Sequence, residues 1–369
     1  MRREEIWNKA YTRIFELYGE NPDLRIVNHR FLSEKAALAH FGAAEYFEEI
    51  AKIFSEAMDE YNEKLICKNI VSSCFSAYLL GASEINPLPA HYYCSSCKQI
   101  KWLDEDVCIL DMQNTHLCNC GAEMRIDGFN IPFEIFIPYA EKLNEKTDIS
   151  SVKTYKDLFE ALTKKHFQHS DVAQKCHLLG QNTGISANEI DLSDNTVKAK
   201  LFVGNFECVN SKLTDFLQET YTIAQPNNYN ELLKLIGLAH GTQTWKNNAE
   251  ILIKNKNCNL SDIPATRDEV FMMIRDAMRE HGVYDSGFAY DVVNKVRKGF
   301  YAENGMDGYT IDTLKSLGFG DWFASYLLGV RYMSTKALSV MELKYVILLT
   351  WYQTYYPKQY ELIGDDIIW

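Results

Sequence analysis

The sequence contains 369 residues, of which 47% are hydrophobic and 24% are charged, and its net charge is −12 at pH 7. This composition is that of an ordinary globular protein with enough length for two or three domains. The acidic balance argues against a protein that holds nucleic acid through a positive field over its whole surface, because Lys and Arg contacts to phosphate supply most non-specific affinity. A local basic groove is still compatible with this composition.

Signals for secretion and membrane insertion are not found in the sequence. The first five residues, Met1 to Glu5, include four charged side chains and lack the apolar core of a signal peptide. No apolar run reaches the roughly 18 residues that a membrane-spanning helix needs. We therefore expect a cytoplasmic protein with no membrane partner.

The first 64 residues predict three helices. Apolar side chains recur at helical spacing over residues 6–18 and again over about residues 43–61. Between them, Asn21 and Pro22 suit the N-cap and the first turn of a second helix.

The rest of the chain changes character twice. Residues 65–137 mix short apolar runs, turn residues and clustered cysteines, which is typical of short strands and loops. Residues 138–200 are polar and predict a linker or a reduced subdomain. Helical patterns return after residue 201. Thr266 and Glu269 form the capping-box signature of a helix start. A long apolar helix is predicted over residues 336–356.

Four cysteines have the spacing of a structural zinc site. Cys94 and Cys97 form a C-x2-C pair, and Cys118 and Cys120 form a C-x-C pair twenty residues later. Four thiolates can complete the tetrahedral shell of zinc, and a loop-rich segment gains stability from such a cross-link. His116 is an alternative ligand in place of Cys118, and reduced cysteines without a metal are the competing interpretation.

Two stretches beside these cysteines resemble a known enzyme family. Residues 86–97 read NPLPAHYYCSSC, and residues 120–134 read CGAEMRIDGFNIPFE. Both closely resemble the catalytic region of the PolC-type DNA polymerase III alpha subunit. The resemblance is strong again over residues 235–245 and 296–299, and in total it extends from Leu17 to about Tyr360.

The resemblance implies a predominantly helical α+β fold in four regions. Residues 1–64 would form a helical N-terminal region, and residues 65–150 a small mixed α/β region derived from the polymerase palm, with a zinc knuckle. Residues 151–200 would be a shortened palm and fingers remnant with a linker. Residues 201–369 would form a fingers-like helical domain.

The catalytic carboxylates of the resembling family are mostly replaced. Such polymerases hold two magnesium ions between carboxylates. An ungapped count from the Ile-Pro-Phe-Glu segment places Lys146 and Asp148 at the family's Asp-x-Asp motif, and His177 falls at its third aspartate. Neutral imidazole is a poor magnesium ligand. Asp191 and Asp194 are an alternative carboxylate pair if that count is misplaced.

The family's glycine-rich loop, which binds the triphosphate, aligns with residues 66–74. Its three glycines become Ile66, Asn69 and Ser72, whose side chains obstruct the approach of backbone amides to phosphate. Lys68 stays a candidate nucleotide contact. The chain is also far shorter than the family between about residues 150 and 174.

Four residues of the C-terminal half are candidate contacts to DNA or nucleotide phosphate by resemblance to the family's fingers: His240, Lys295, Arg297 and Lys298. The alternative is that His240 packs at a helix junction and that the three basic residues form a solvated helix end, where positive charge complements the helix dipole.

These observations favour a non-catalytic relative of the PolC-type alpha subunit that acts by binding. Its expected partners are replication proteins, the host polymerase or, more weakly given the acidic charge, DNA. Zinc is the expected cofactor, and magnesium is expected only if polymerase activity is retained. The alternatives are an active polymerase or nucleotidyltransferase with a metal site rebuilt near Asp148 and His177, and an interaction protein unrelated to replication.

Overall fold

The computed structural model describes residues 2–20, 24–41, 44–67, 70–104, 107–112, 116–137, 167–169, 171–206 and 211–363. Within these ranges the chain is predominantly helical, with two small antiparallel sheets. The chain groups into a first unit of residues 1–194 and 347–369 and a second unit of residues 195–346. No helix in these ranges is both long enough and apolar enough to cross a membrane.

The described helices are, in chain order, α1 (Arg2–Tyr18), α2 (Arg25–Phe41), α3 (Ala44–Tyr61), α4 (Phe75–Leu79), α5 (Asp171–Thr183), α6 (Asn195–Leu201), α7 (Ser211–Ala224), α8 (Tyr229–Ala239), α9 (Glu250–Lys254), α10 (Arg267–Glu280), α11 (Gly287–Val296), α12 (Phe300–Asn304), α13 (Gly308–Ser316), α14 (Asp321–Gly329), α15 (Lys336–Tyr355) and α16 (Pro357–Ile363). The described strands are β1 (Leu65–Cys67), β2 (His91–Cys94), β3 (Ile100–Trp102), β4 (His116–Leu117), β5 (Glu123–Asp127) and β6 (Phe167–His169).

The three predicted N-terminal helices are confirmed as α1, α2 and α3. The stripe that α3 buries contains Phe47, Ile50 and Ile53, which recur at three-residue and four-residue spacing and therefore share one face. Gly19, directly after α1, has a φ of 67°. Glycine reaches this left-handed conformation at little cost, so it ends the helix at the position the sequence indicates.

The cysteine-rich segment folds as a four-stranded antiparallel sheet in the order β3-β2-β5-β4. The buried core on this sheet is small and consists of Tyr92, Cys94, Cys118 and Met124. A separate two-stranded sheet pairs β1 with β6. The described strands are therefore all antiparallel, and they form no alternating βαβ units.

A buried polar network joins α1 to this sheet. The side-chain amide of Asn86 donates to the Tyr18 hydroxyl at 3.1 Å and to Asp127 Oδ2 at 2.7 Å. Nδ1 of His91 lies 2.8 Å from the Pro89 carbonyl, which can only accept, so Nδ1 carries the hydrogen and Nε2 accepts from Tyr18 at 3.2 Å. Burial lowers the pKa of His91 and keeps the ring neutral.

The second unit contains the predicted capping box. Thr266 and Glu269 each accept a hydrogen bond from the other's backbone amide at the start of α10. The predicted C-terminal helix is also confirmed, because α15 ends at Tyr355 and Pro357 begins α16.

Two helices, α5 and α6, begin in the segment that the sequence predicted as a linker or a reduced subdomain. The polar segment over residues 138–200 contains α5, whose sequence DVAQKCHLLGQNT buries Ala173, Cys176 and Leu179. Its buried face also includes the polar residues Gln174 and Lys175. A helix is predicted from sequence by apolar residues at such positions, so this one was missed. The four regional boundaries stay predictions.

Tyr18 provides a test of the polar network. Replacing Tyr18, which is 1% exposed, by Phe removes the hydroxyl that Asn86 and His91 share. Two buried polar groups would lose a partner, so we expect the free energy of unfolding to fall by about 1–3 kcal/mol in urea titrations. The matched control is Tyr11→Phe on the same helix, at a residue that is 61% exposed. Equal effects of the two substitutions would contradict a role of the network in stability.

Candidate functional site

The four predicted zinc ligands converge in the structure. Sγ of Cys94 lies 3.6 Å from Sγ of Cys120, and Sγ of Cys97 lies 3.4 Å from Sγ of Cys118. All four sulfur atoms lie within 4.8 Å of one another. In a tetrahedral zinc site with Zn–S bonds of about 2.3 Å, the sulfur atoms are roughly 3.8 Å apart. The cluster therefore has the size and the chemistry that zinc requires.

Two tight turns deliver these sulfur atoms. Cys94 is the last residue of β2, and the Cys97 amide in the following turn donates to its sulfur at 3.4 Å. This donation lowers the pKa of the Cys94 thiol to about 6, which favours the thiolate that binds metal. Cys118 directly follows β4, and Gly121, with a φ of 85°, turns the chain behind Cys120.

The alternative ligand His116 lies outside the group of four sulfur atoms. Its ring stacks on Tyr92 with centroids 4.9 Å apart, and its Nε2 lies 3.4 Å from Nζ of Lys101. Since Cys118 itself reaches the cluster, the four thiols can complete a tetrahedral shell without the imidazole.

Of the degenerate catalytic positions, only His177 belongs to the described residues, whereas Lys146 and Asp148 lie outside them, as does Lys68 of the former glycine loop. Nε2 of His177 lies 2.7 Å from Oδ1 of Asn62. Partial burial, together with the nearby charge of Lys64, lowers the pKa of His177. The ring is therefore neutral near pH 7, and its Nε2–H donates to Asn62.

Asn62 is the centre of a polar junction between α3 and α5. Its Oδ1 also accepts from Nε2 of Gln181 at 2.7 Å, and its carbonyl accepts from Nε2 of Gln174 at 3.0 Å. Oε1 of Gln174 in turn accepts from the Lys64 amide at 2.6 Å. His177, which the sequence predicts at the family's third aspartate, is thus part of a structural hydrogen-bond network.

The loop that aligns with the family's triphosphate loop is buried in its described part. Ile66 is 6% exposed and Val71 is fully buried, and the Ser72 hydroxyl accepts from the Ser83 hydroxyl at 2.7 Å. The adjacent amides of Phe75 and Ser76 donate to the buried carboxylate of Glu34, each at 2.8 Å. These amides already have an internal anion as their acceptor.

The alternative carboxylate pair serves local structure. Oδ1 of Asp191 accepts from the amide and the hydroxyl of Ser193, at 2.8 Å and 2.7 Å, and Asp194 accepts from the hydroxyl of Tyr355 at 3.0 Å. Across the described ranges, the cysteine cluster is the one group of three or more side chains arranged to hold a metal ion.

The basic candidates of the C-terminal half are mostly engaged within the protein. His240 pairs with Glu342 at 2.5 Å, and Nζ of Lys295 lies 5.8 Å from the centroid of the Tyr301 ring. Arg297 is the C-cap residue of α11 and donates to Asn294, whereas Lys298 is exposed. Lys295 and Arg297 therefore lie at a helix end, where their positive charge complements the helix dipole.

Arg267 is a basic residue of this region that the sequence analysis did not select as a site residue. Its Nε is buried and has no hydrogen-bond partner among the described residues. Burial, and to a smaller extent the charge of Arg297, lowers the pKa of the Arg267 guanidinium. Tyr332, which is 45% exposed, interacts electrostatically with both arginines. In the sequence, Arg267 belongs to a predicted helix start and to a stretch, Arg267-Asp268, that resembles the family's fingers.

The zinc site can be tested by metal analysis. We expect the purified protein to hold about one zinc ion per chain, because four converging thiols match the preferred shell of zinc. Removing one ligand by Cys118→Ser should lower the zinc content and destabilise the small sheet. His116→Gln is the matched control and should keep its zinc. Less than half an equivalent in the unmodified protein, with no effect of a chelator on stability, would contradict the site.

Comparison with known proteins agrees with these features. The family described as the bacterial DNA polymerase III alpha subunit finger domain matches residues 171–284. The match begins at the residue where α5 begins, ahead of the boundary predicted for the fingers-like region at residue 201.

Relatives named DNA polymerase III PolC-type align with nearly the whole chain. The protein of Caldanaerobacter subterraneus subsp. tengcongensis is 23% identical over 97% of this chain and 33% of its own length. Those of Streptococcus agalactiae and Clostridium perfringens are 22% and 23% identical, over 97% of this chain and 32% of their own lengths. The chain thus spans about a third of the length of these relatives. It is a low-identity relative of the PolC-type DNA polymerase III alpha subunit, with a segment that matches the finger domain.

Proposed function

We propose that this protein is a non-catalytic relative of the PolC-type alpha subunit and acts by binding replication proteins or DNA. The observation that carries the proposal is the position of His177. At the place of a metal-binding aspartate, a neutral imidazole donates a hydrogen bond to Asn62.

The chemistry of magnesium supports this proposal. Phosphoryl transfer by two magnesium ions requires carboxylate oxygens that bridge or flank the ions, and magnesium takes oxygen ligands in octahedral geometry. A neutral ring whose Nε2–H is already donated offers neither charge nor an oxygen. Lys146, at the first aspartate position, would add a positive charge where the family has a carboxylate.

The former triphosphate loop supports the proposal independently. Ile66 and Val71 point into the core, and the amides of Phe75 and Ser76 are bound to Glu34. A triphosphate at these amides would have to displace a buried carboxylate that also pairs with Arg30. Displacing it would leave a charged group without its partners, which is costly.

The length of the alignment also supports a loss of catalysis. It covers 480 positions with the Caldanaerobacter protein, although this chain has only 369 residues. More than a hundred aligned positions of the relative therefore have no counterpart here. A complete nucleotide pocket is difficult to build with so much of the catalytic region missing.

The pair of Arg267 and Arg297 supports DNA as one ligand. The charges of Arg267 and Arg297 repel each other, although the Asp268 carboxylate attracts Arg267, and Tyr332, which is 45% exposed, interacts with both arginines. A guanidinium binds phosphate oxygens through two parallel hydrogen bonds, and a phosphate would neutralise the repulsion between the two charges. This local positive site lies on a chain whose net charge is −12.

A primer-extension assay tests the loss of catalysis. With magnesium or manganese present, we expect no template-dependent nucleotide incorporation by the purified chain. The reason is that two of the three carboxylate positions hold Lys146 and His177. The assay should include a PolC-type enzyme as the positive control. Incorporation that Asp148→Ala abolishes would contradict the proposal and favour the rebuilt metal site.

DNA binding can be tested at the arginine pair. We expect primer-template DNA to bind at low salt, and Arg297→Gln to weaken binding about tenfold and reduce the salt slope by about one. Arg279→Gln is the control, because Arg279 lies at the exposed end of α10 beside Asp276. If the chain binds no DNA at low salt, DNA is excluded as the ligand. A pull-down from the native cell would then have to recover replication proteins, and failure of both assays would contradict the proposed function.

A further inference from the structure

Two close sulfur contacts in the cysteine cluster connect its two turns. Cys94 belongs to the first turn and lies 3.6 Å from Cys120 of the second, and Cys97 lies 3.4 Å from Cys118. Both contacts cross from one turn to the other.

Each close contact joins one exposed and one buried cysteine. Cys97 and Cys120 are exposed, whereas Cys94 is fully buried and Cys118 is 6% exposed. A small oxidant can therefore reach one sulfur of each pair from solvent. The buried partner then lies directly beside the sulfur that has been oxidised.

We propose that the zinc knuckle is a redox-sensitive site that hydrogen peroxide converts into two disulfides, Cys94–Cys120 and Cys97–Cys118, with release of the metal. An exposed thiolate attacks one peroxide oxygen, the O–O bond breaks, and hydroxide leaves as a sulfenic acid forms. The buried thiolate attacks the sulfenic sulfur, the S–O bond breaks, and a second hydroxide leaves as the disulfide forms. Two peroxides and four protons consume four thiolates and yield two disulfides, four waters and one free zinc ion.

The crossed connectivity preserves the sheet when the metal leaves. Zinc ties the turn after β2 to the segment between β4 and β5, and the crossed disulfides tie the same two segments. Disulfides within each turn would leave the small core of Tyr92, Cys94, Cys118 and Met124 without a cross-link between the segments. The backbone pairing of β2 with β5 needs no change in register. The oxidised knuckle is therefore folded, and reduction can reload it with zinc.

The inference rests on the zinc site and deepens that assignment, and its test separates the two. Metal content is first measured on the untreated full chain, which tests the site itself. The zinc-loaded protein is then treated with hydrogen peroxide, and released zinc is followed with a chromogenic chelator while disulfides are mapped by mass spectrometry without reduction. Primer extension, which tests the proposed function, is not involved.

We expect one zinc ion to be released for every two disulfides formed, with the crossed connectivity and with the far-ultraviolet circular dichroism spectrum retained. A dithiol and zinc should restore the starting state. Cys108→Ser is the matched control, since Cys108 is a partly exposed thiol outside the cluster, and it should release zinc at the same rate. The Cys120→Ser variant should still form the Cys97–Cys118 disulfide. This result does not require the variant to bind zinc with full affinity.

Three results would overturn the inference. One is a disulfide between Cys94 and Cys97 as the main product. The second is conversion of the cluster to sulfinic acids without disulfides. The third is full retention of zinc at a peroxide concentration that oxidises the exposed thiols of the unfolded chain.

Discussion

The hydrogen-bonded junction at Asn62 connects α3 with α5 in the first unit. Asn62 ends α3 in a left-handed conformation with a φ of 55°, and three side chains of α5, namely Gln174, His177 and Gln181, donate to its oxygens. The neighbouring Lys64 amide donates back to Gln174, so α3, the start of β1 and α5 form one connected structure. An aspartate at position 177 would face the Oδ1 acceptor of Asn62 with another acceptor. An aspartate here would keep the junction only if the side-chain amides of Asn62 and Gln181 both turned over.

His177, predicted from the sequence to replace an aspartate, is accommodated here by its hydrogen bond to Asn62. Loss of a carboxylate at a metal site usually leaves the remaining charges unbalanced. Here His177 is neutral and its Nε2–H has an acceptor, so this position holds no unpaired charge. The buried carboxylate of Glu34 likewise gives the amides of Phe75 and Ser76 an internal acceptor, next to the loop that aligns with the family's triphosphate loop.

Features set by local sequence rules were predictable, whereas those set by distant partners were not. The capping box at Thr266 and the helix end at Gly19 follow from neighbouring residues, and so they were found from the sequence. The thiol spacing likewise indicated the cysteine cluster. α5 was missed because its buried face includes Gln174 and Lys175. Arg267 was missed because its electrostatic interaction with Arg297, which is thirty residues away in sequence, arises only after folding.

Divalent cation binding is the most direct test of the central claim, because it depends on the carboxylates themselves and on no particular template or partner. Manganese can replace magnesium and be titrated by electron paramagnetic resonance on the full chain, with and without a deoxynucleoside triphosphate. The account predicts no tight manganese site and no change on Asp148→Ala. Two manganese ions bound per chain in the presence of the nucleotide, and lost in Asp148→Ala, would show a working polymerase metal pair and contradict it.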